Sequence, residues 1–216
     1  MQIKKPAIHD AILDSAAKFF TRQGYHRTTL AAIAEGAGIG VGSIYSYFPS
    51  KLHILYKIYR PWFIGCLDDL ARTIDAAATP RERLRCFLLG IWRDIPARNT
   101  GLANSLMEAL ASADPGTPKP DDLLPWSERR LSALLRQALP AERHDLLKRD
   151  FLSHLLLMAF DGFVINRRLG DMRDVEAITE TVCDMLLGPA APARRSNPAA
   201  RPRSAGVQGR RSQKTA

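Results

Sequence analysis

Residues 24–51 read GYHRTTLAAIAEGAGIGVGSIYSYFPSK, and the pattern of this stretch predicts two short helices joined by a turn. A threonine, Thr28 or Thr29, can cap a short helix there, because a hydroxyl satisfies a free N–H of the first turn. Four apolar residues follow at the spacing of one buried helical face, namely Leu30, Ile33, Ala34 and Ala37. Gly38 suits the left-handed residue that ends a helix, and a second short helix is predicted from Val41 to Phe48. Two short helices joined by a glycine turn are typical of a helix-turn-helix.

Gly42 falls inside the second of these helices, where a glycine costs about 1 kcal/mol relative to alanine. The presence of a glycine at this costly position is explained if the helix backbone must approach another surface closely, such as the edge of a DNA groove. Ser43, Ser46 and Tyr47 project away from the predicted buried stripe. Lys51 begins the next helix, where free N–H groups and an ammonium together make a phosphate site. We therefore predict that this segment binds DNA.

The order G-Y-x-x-T-T-L-x-x-I-A-x-x-A-G-I-x-x-G-S-I-Y-x-Y-F-x-S-K resembles the tetracycline-repressor (TetR) family of bacterial regulators, over about residues 7–60. The resemblance implies a three-helix DNA-binding head and a helical body that binds an effector and forms a dimer. It also implies a groove-facing set, which is Val41, Gly42, Ser43 and Ser46. The phosphate clamp that it implies is Thr28 or Thr29 with Tyr45, Tyr47 and Lys51.

The chain departs from the family pattern at three positions in this region. Gly40 stands where a serine helix cap is usual, Val41 where a polar residue is usual, and Leu52 where glutamate is common. The first two changes weaken direct hydrogen-bond readout of bases.

Outside this stretch, apolar residues recur at helical spacing from residue 7 to about residue 187, and strand patterns are nearly absent. We therefore predict an all-α fold, with a three-helix head over residues 1–50 and an effector-binding and dimerisation body over residues 51–188. Residues 189–216 are rich in Pro, Gly, Ser and Arg and lack periodicity, which predicts a disordered basic tail.

Glycines, prolines and one capping pattern predict the helix limits. Gly24 should end the first helix, and Pro61 should kink or break the helix that begins the body. Residues 79–82 read TPRE, a capping box that should start a helix stopping near Pro96. The remaining helical segments are expected near 100–112, 121–138, 141–169 and 174–187, with a loop at 114–120.

The formal charge of +9 is concentrated at the two ends of the chain. Residues 1–60 carry eight Lys and Arg against three Asp and Glu, and residues 189–216 carry seven against none. The middle of the chain is mildly acidic. A polyanion such as DNA would therefore meet the protein at its ends.

No apolar run reaches the length of about 18 residues that a membrane span requires. Asp10 and Asp14 interrupt the N-terminal segment where a signal peptide needs an apolar stretch, so we expect a cytoplasmic protein. Cys66, Cys86 and Cys183 are scattered and form no C-x-x-C pair. This pattern favours reduced core thiols over a disulfide framework or a zinc site.

Two C-terminal helices carry apolar faces that are wider than one small body can easily cover. Their residues are Leu155, Leu156, Ala159 and Phe163 in the first, and Ile178, Val182, Met185 and Leu186 in the second. These faces predict a homodimer. A dimer of such heads would bind an inverted repeat in double-stranded DNA.

The body offers residues for a cavity that would hold a small-molecule effector: Trp62, Phe87, Trp92, Met107, Trp126, His154 and Asp161. Phe63, Phe160 and Phe163 are further candidates for the wall of this cavity. At helical spacing such residues are more often ordinary core. Asp161 is the one acidic residue of the most apolar segment, 151–165, and could orient the polar end of a ligand. The other interpretation is a hydrogen bond to a neighbouring helix or across the dimer.

No nucleophile–base pair, phosphate-binding loop or nucleotide-binding motif is evident, and the histidines lack the spacing of metal ligands. We therefore expect no enzyme, no metal site and no cofactor. The sequence predicts a DNA-binding repressor that is released by a small, mainly apolar effector. The alternative is a DNA-organising or scaffold protein with the same head and no effector. A ligand that shifts DNA affinity would distinguish these two functions.

Overall fold

The computed structural model describes residues 5–114, 120, 122–149, 151–170 and 174–189, and every regular element in these ranges is helical. The all-α prediction is confirmed. The helices are α1 (Pro6–Arg27), α2 (Leu30–Gly36), α3 (Val41–Ile44), α4 (Lys51–Ala76), α5 (Pro80–Leu89), α6 (Ile95–Arg98), α7 (Thr100–Ala111), α8 (Leu123–Ala138), α9 (Phe151–Leu169) and α10 (Val175–Leu187). A π-helical turn, Gly90–Asp94, joins α5 to α6, and a 3₁₀ turn, Ala141–Leu147, precedes α9.

The head, α1 to α3, is organised around one apolar face of α1. The buried residues of that face are Ile12, Ser15, Ala16 and Phe20. The Ser15 hydroxyl donates a hydrogen bond to the Ile33 carbonyl oxygen (2.9 Å), which ties α1 to α2. Gly24 interrupts α1 with a φ of +82°, and a final turn continues to Arg27. The glycine therefore has the left-handed conformation that its predicted role at a helix end requires.

α4 runs through Pro61 without a break, so the break predicted there does not occur. A proline removes one helical hydrogen bond, here the one that the Lys57 carbonyl would accept. Lys57 and Pro61 are both exposed, so water can satisfy that carbonyl. Buried residues on either side of the proline, including Tyr59 and Phe63, hold the helix to the core.

The helix predicted from the capping box starts as expected, and the helical segment ends at Arg98, close to the stop predicted near Pro96. The Thr79 hydroxyl accepts a hydrogen bond from the Glu82 N–H (3.2 Å), and the Glu82 carboxylate accepts one from the Thr79 N–H (2.9 Å). Further along, the Ile95 N–H bonds to the Gly90 carbonyl, five residues back. This π-helical turn shifts the hydrogen-bond register before the proline, and the chain continues into α6.

The C-terminal part of the body follows the predicted pattern with one difference. α7, α8 and α10 lie where helices were expected, but the segment 141–169 divides into the 3₁₀ turn and α9. Ion pairs fasten α10 to α5: the Arg81 guanidinium contacts Glu180 (2.8 Å) and Asp184 (2.7 Å), and Arg85 contacts Glu180 (2.9 Å).

The head meets the body mainly where α1 packs against α7. At Gly101 the two backbones are so close that an added Cβ would lie 1.9 Å from the Thr21 carbonyl oxygen. One turn further along α7, the Ser105 hydroxyl donates a hydrogen bond to the Phe20 carbonyl (2.9 Å). Because Ser105 is fully buried, this bond fixes the register between the helices in a dry environment.

Glu108 adds a charged contact at the end of the same interface. Its carboxylate accepts a hydrogen bond from the His26 N–H (3.1 Å) and pairs with Arg168 of α9. The pKa of Glu108 is lowered, because hydrogen bonds from the His26 backbone and from Arg168 outweigh the opposing effect of burial. Glu108 therefore joins α1, α7 and α9 at one point.

Among the described residues, no helix is long and apolar enough to cross a membrane. The tail predicted over residues 189–216 lies outside the described residues from residue 190 onward, and so do residues 115–119 of the predicted loop.

We expect Gly101→Ala to destabilise the protein by about 1–3 kcal/mol, because the new methyl group would force two backbones apart. Gly65→Ala is the matched control: Gly65 lies inside α4, and a Cβ added there meets nothing within 4 Å. That control should be neutral or should stabilise by up to about 1 kcal/mol. Thermal unfolding followed by circular dichroism measures both, and equal melting temperatures for the two variants would contradict the close approach.

Candidate nucleic-acid interface and effector cavity

A left-handed glycine makes the turn between α2 and α3. Thr29 caps α2, its hydroxyl accepting a hydrogen bond from the Ala32 N–H (3.1 Å). Gly38 has a φ of +68°, and the Ile39 N–H bonds back to the Ala34 carbonyl (3.0 Å). α3 then begins after Gly40, so the predicted helix-turn-helix order is present. α3 itself ends at residue 44, and the predicted helix to Phe48 is continued only by turns.

α3 and the turns that follow it divide into a buried side and an exposed side. Ile44 and Phe48 are buried in the core. The exposed side is formed by the predicted groove-facing set together with Tyr45, that is by Val41, Gly42, Ser43, Tyr45 and Ser46. Val41 is 42% and Tyr45 60% exposed, so an apolar and an aromatic side chain face outward beside Gly42 and the hydroxyl groups of Ser43 and Ser46. This side therefore has the shape and chemistry of a surface that contacts another molecule.

Two residues of the predicted phosphate clamp have structural roles in the head. Thr28 is fully buried, and its hydroxyl donates a hydrogen bond to the Gly24 carbonyl (2.7 Å). Thr28 is therefore inaccessible to DNA, and of the two threonines predicted as alternatives for the clamp only Thr29 is exposed. Tyr47 is half-buried, and its hydroxyl accepts a hydrogen bond from the Lys5 N–H (3.2 Å) at the start of α1.

Lys51 connects the start of α4 to the end of α1. Its ammonium donates hydrogen bonds to the carbonyls of Tyr25 (2.7 Å) and Thr28 (2.8 Å) and lies 4.1 Å from the centre of the Tyr25 ring. Burial lowers the pKa of Lys51, while the Glu108 carboxylate opposes that effect. Much of its hydrogen-bonding capacity is therefore used within the protein, and its contact with phosphate remains a prediction.

A cavity of about 140 Å³ lies between α4, α7, α8 and α9. Its walls are almost entirely apolar and aromatic: Tyr56, Tyr59, Phe63, Leu106, Met107, Leu110, Leu123, Leu124, Ser127, Leu157, Phe160 and Asp161. The Ser127 hydroxyl is already bonded to the Leu123 carbonyl of its own helix (2.7 Å). Asp161 is therefore the one acidic side chain among these lining residues.

The Asp161 carboxyl is less acidic than an ordinary aspartate. Burial raises its pKa to about 6, and the neighbouring His154 opposes this effect. The pKa of Tyr59 is raised as well, first by burial and then by the nearby Asp161 carboxyl. Both groups thus favour their neutral forms in this cavity more strongly than they would in water.

The structure places two of the seven predicted ligand residues, Met107 and Asp161, in the cavity wall. The others lie elsewhere. Phe87 is fully buried core, and the Trp92 indole N–H bonds to the Leu156 carbonyl (3.3 Å). Trp62, Trp126 and His154 contact Tyr59, Arg60 and Glu128 respectively.

Of the further candidates, Phe63 and Phe160 line the cavity, but sequence reasoning missed the remaining eight of its described lining residues. Tyr56, Tyr59 and Phe63 follow one another at helical spacing on α4, and that stripe of aromatic residues was the available signal. The contributions of Leu106 and Leu110 depend on how α7 packs against α4 and α9. No local pattern reveals that arrangement.

A second cavity, of about 460 Å³, lies beside the first and has a basic lining. It is bordered by His53, Tyr56, Lys57, Arg60, Pro61, Ile64 and Pro120, so Tyr56 takes part in both cavities. The Arg60 guanidinium pairs with Asp122 (3.2 Å) and stacks over the Trp126 ring (5.8 Å). An apolar chamber and a cationic one therefore adjoin on the same side of α4.

Comparison with known proteins agrees with this geometry. The family model for bacterial regulatory proteins of the tetR family matches residues 12–57. The HTH-type transcriptional repressor KstR of Mycobacterium tuberculosis is 33% identical over 103 residues, which are 48% of this chain and 46% of KstR. A fatty acid metabolism regulator protein of Bacillus subtilis is 31% identical over 84 residues, 39% of this chain and 43% of that protein. In these alignments the chain spans about half the length of the curated relatives.

Similarity in structure extends over more of the chain. The regulator FadR of Bacillus subtilis, solved in complex with stearoyl-CoA, superposes with a TM-score of 0.60 over 84% of this chain and 100% of FadR, at 19% identity. The head is thus a helix-turn-helix of the class found in bacterial transcription regulators. Residues 12–57 match the tetR family of bacterial regulatory proteins, and the likeness of the rest of the chain to solved regulators is one of fold.

We expect Gly42→Ala to leave the fold intact and to weaken DNA binding by about tenfold or more, equivalent to ~1.4 kcal/mol. A Cβ at Gly42 meets nothing within 4 Å in the chain, so only an external surface can be obstructed. The measurement is fluorescence anisotropy with the preferred DNA site, with Gly65→Ala as the control that should bind normally. Unchanged affinity of Gly42→Ala would show that the α3 backbone does not approach DNA closely.

We expect Asp161→Asn to raise the melting temperature more at about pH 7.5 than at about pH 5. The folded-state pKa of Asp161 lies above the ordinary value, so ionisation of this group costs the folded state stability as pH rises through about 6. Asparagine removes that cost. Thermal melts of both proteins at the two pH values test this, and an equal difference at both would contradict the perturbed carboxyl.

Proposed function

We propose that the protein is a dimeric, cytoplasmic transcription repressor that binds an inverted repeat and is released when an effector with an apolar end fills the body cavity. The observation that carries the DNA-binding part is the exposed side of α3. It combines an open glycine backbone with small hydroxyl side chains and one valine, on a motif in which Ile33, Ala34, Ile44 and Phe48 are buried.

In this proposal the exposed side of α3 enters the major groove. Val41 packs on a thymine methyl group, and Ser43 and Ser46 hydrogen-bond to base edges. Tyr45, as the most exposed aromatic residue of the head, contacts the phosphate backbone with Thr29, Tyr47 and Lys51. The phosphate contacts position the head, and the α3 contacts select the sequence.

A second copy of the chain covers the apolar surface of α9 and α10. On these helices Leu155 is 60% and Met185 76% exposed, and Met158, Ile165 and Leu169 are exposed as well. The face differs in part from the one expected from sequence, since Leu156 is buried in the core and Phe163 packs on Trp92. Two heads related by a two-fold axis would bind successive major grooves.

The two adjoining cavities support an acyl-CoA-like effector. An apolar acyl group suits the aromatic chamber, and the phosphates of the head group suit the chamber bordered by Lys57 and Arg60. The fatty acid regulators among the relatives, and the stearoyl-CoA bound to FadR, favour the same class. A cavity of about 150 Å³ holds a group of the size of benzene, so we propose an acyl group well short of stearoyl.

α7 provides the route from the cavity to the head. Leu106, Met107 and Leu110 of this helix line the cavity, while Ser105 and Glu108 bond to α1. An effector that displaces α7 therefore displaces the end of α1. Because two heads must match a fixed groove spacing, a small rotation of each is enough to weaken DNA binding.

The test begins with selection of bound sequences from a random DNA pool, which should yield an inverted repeat bound by two copies of the chain. Acyl-CoAs of increasing length are then added to the complex, with coenzyme A as the control. We expect a short acyl-CoA to weaken DNA binding by about fivefold or more, and coenzyme A to have little effect. Sequence-specific binding that no acyl-CoA alters would favour the scaffold function, and binding without sequence preference would refute the repressor.

A further inference from the structure

Asp161 has no hydrogen-bond or ion-pair partner within the part of the chain that the structure describes. His154 is near enough to influence it, but that imidazole is paired with Glu128 (2.5 Å). The carboxyl of Asp161 is half-buried and borders a cavity of aromatic and aliphatic side chains, with no described protein group bonded to it. An unsatisfied carboxyl in such surroundings costs stability, as its raised pKa also indicates.

The other polar groups of the cavity do not remove this cost. Ser127 donates its proton to the Leu123 carbonyl of its own helix. The Tyr59 hydroxyl lies in the same wall, and Asp161 influences it only through its charge. Beside the hydroxyl groups of Tyr56, Tyr59 and Ser127, Asp161 is the one carboxyl among the described lining residues, and as a carboxylate at neutral pH it is their strongest acceptor.

We propose that Asp161 is a specificity-determining residue, which selects effectors whose buried apolar end carries a neutral hydrogen-bond donor such as a hydroxyl group. This inference rests on the proposed effector site and specifies which acyl groups it accepts. A hydroxyl inside the cavity gains a charge-assisted hydrogen bond to Asp161, whereas a plain hydrocarbon leaves the carboxylate desolvated and unpaired. A ligand that ends in a second carboxylate is excluded by charge repulsion.

The discrimination follows from the general behaviour of buried polar sites. A site built to bond a ligand hydroxyl rejects the analogue that lacks it, because the protein group is then left without a partner. The volume of about 140 Å³ allows an aromatic ring or a short chain beside the carboxyl. A hydroxylated aromatic or short aliphatic acyl group therefore fits both the size and the polarity of the cavity.

The test uses p-cresol and toluene, which differ by one hydroxyl group and need no CoA head group to enter. Their dissociation constants are measured by calorimetry on three proteins: the wild type, Asp161→Leu and Asp161→Asn. We expect the wild type to bind p-cresol at least about tenfold more tightly than toluene. Asp161→Leu should lose this preference, and Asp161→Asn, which keeps an acceptor oxygen, should retain part of it.

Equal binding of the two compounds by the wild type, or a preference that survives in Asp161→Leu, would overturn the inference and leave the effector site in place. Failure of the wild type to bind either compound would remove the cavity as an effector site as well. DNA binding is measured separately on the same samples, so the repressor's DNA-binding part is judged independently. A thermal melt of Asp161→Leu shows that the variant is folded.

Discussion

The close approach of α1 and α7 is the contact on which the rest of the structure depends. At Gly101 there is no room for a side chain between the two backbones, and one turn further on a buried serine hydroxyl bonds to the carbonyl of Phe20. Contacts of this kind cannot slide, because any shift breaks a buried hydrogen bond or produces a clash with backbone. The position of the head relative to the body is therefore determined by the position of α7.

The same helix forms one wall of the proposed effector cavity, so its two faces contact the head and the cavity. Leu106, Met107 and Leu110 border the cavity. On the other face of α7, Gly101 and Ser105 contact α1, and Glu108 accepts a hydrogen bond from the His26 N–H at the end of α1. Glu108 also pairs with Arg168 of α9, the helix that carries Asp161 and part of the exposed apolar surface. Cavity, head and proposed dimer surface are thus connected through a small number of contacts.

Features that depend on neighbouring residues in sequence were predictable. Gly38 has the predicted left-handed conformation, and the predicted Thr79–Glu82 capping box is present. Both features are determined by residues within one helical turn of each other. The break that was one of the two outcomes predicted at Pro61 does not occur, since exposure of the freed carbonyl allows the helix to continue, and the π-helical turn before Pro96 was not foreseen. The cavity could be predicted only at Phe63, Met107, Phe160 and Asp161, because its other walls arise from the packing of four helices.

Transmission through α7 is tested most directly by the factor by which an effective acyl-CoA weakens DNA binding. This factor is measured in the wild type and in Glu108→Ala. Asp68→Ala, which breaks an ion pair between α4 and α8, serves as the control. We expect Glu108→Ala to bind DNA alone and acyl-CoA alone nearly as the wild type does. The coupling factor, typically about 5–150-fold in allosteric proteins, should fall toward one in Glu108→Ala and stay unchanged in Asp68→Ala. A coupling factor that is the same in all three proteins would contradict transmission through α7.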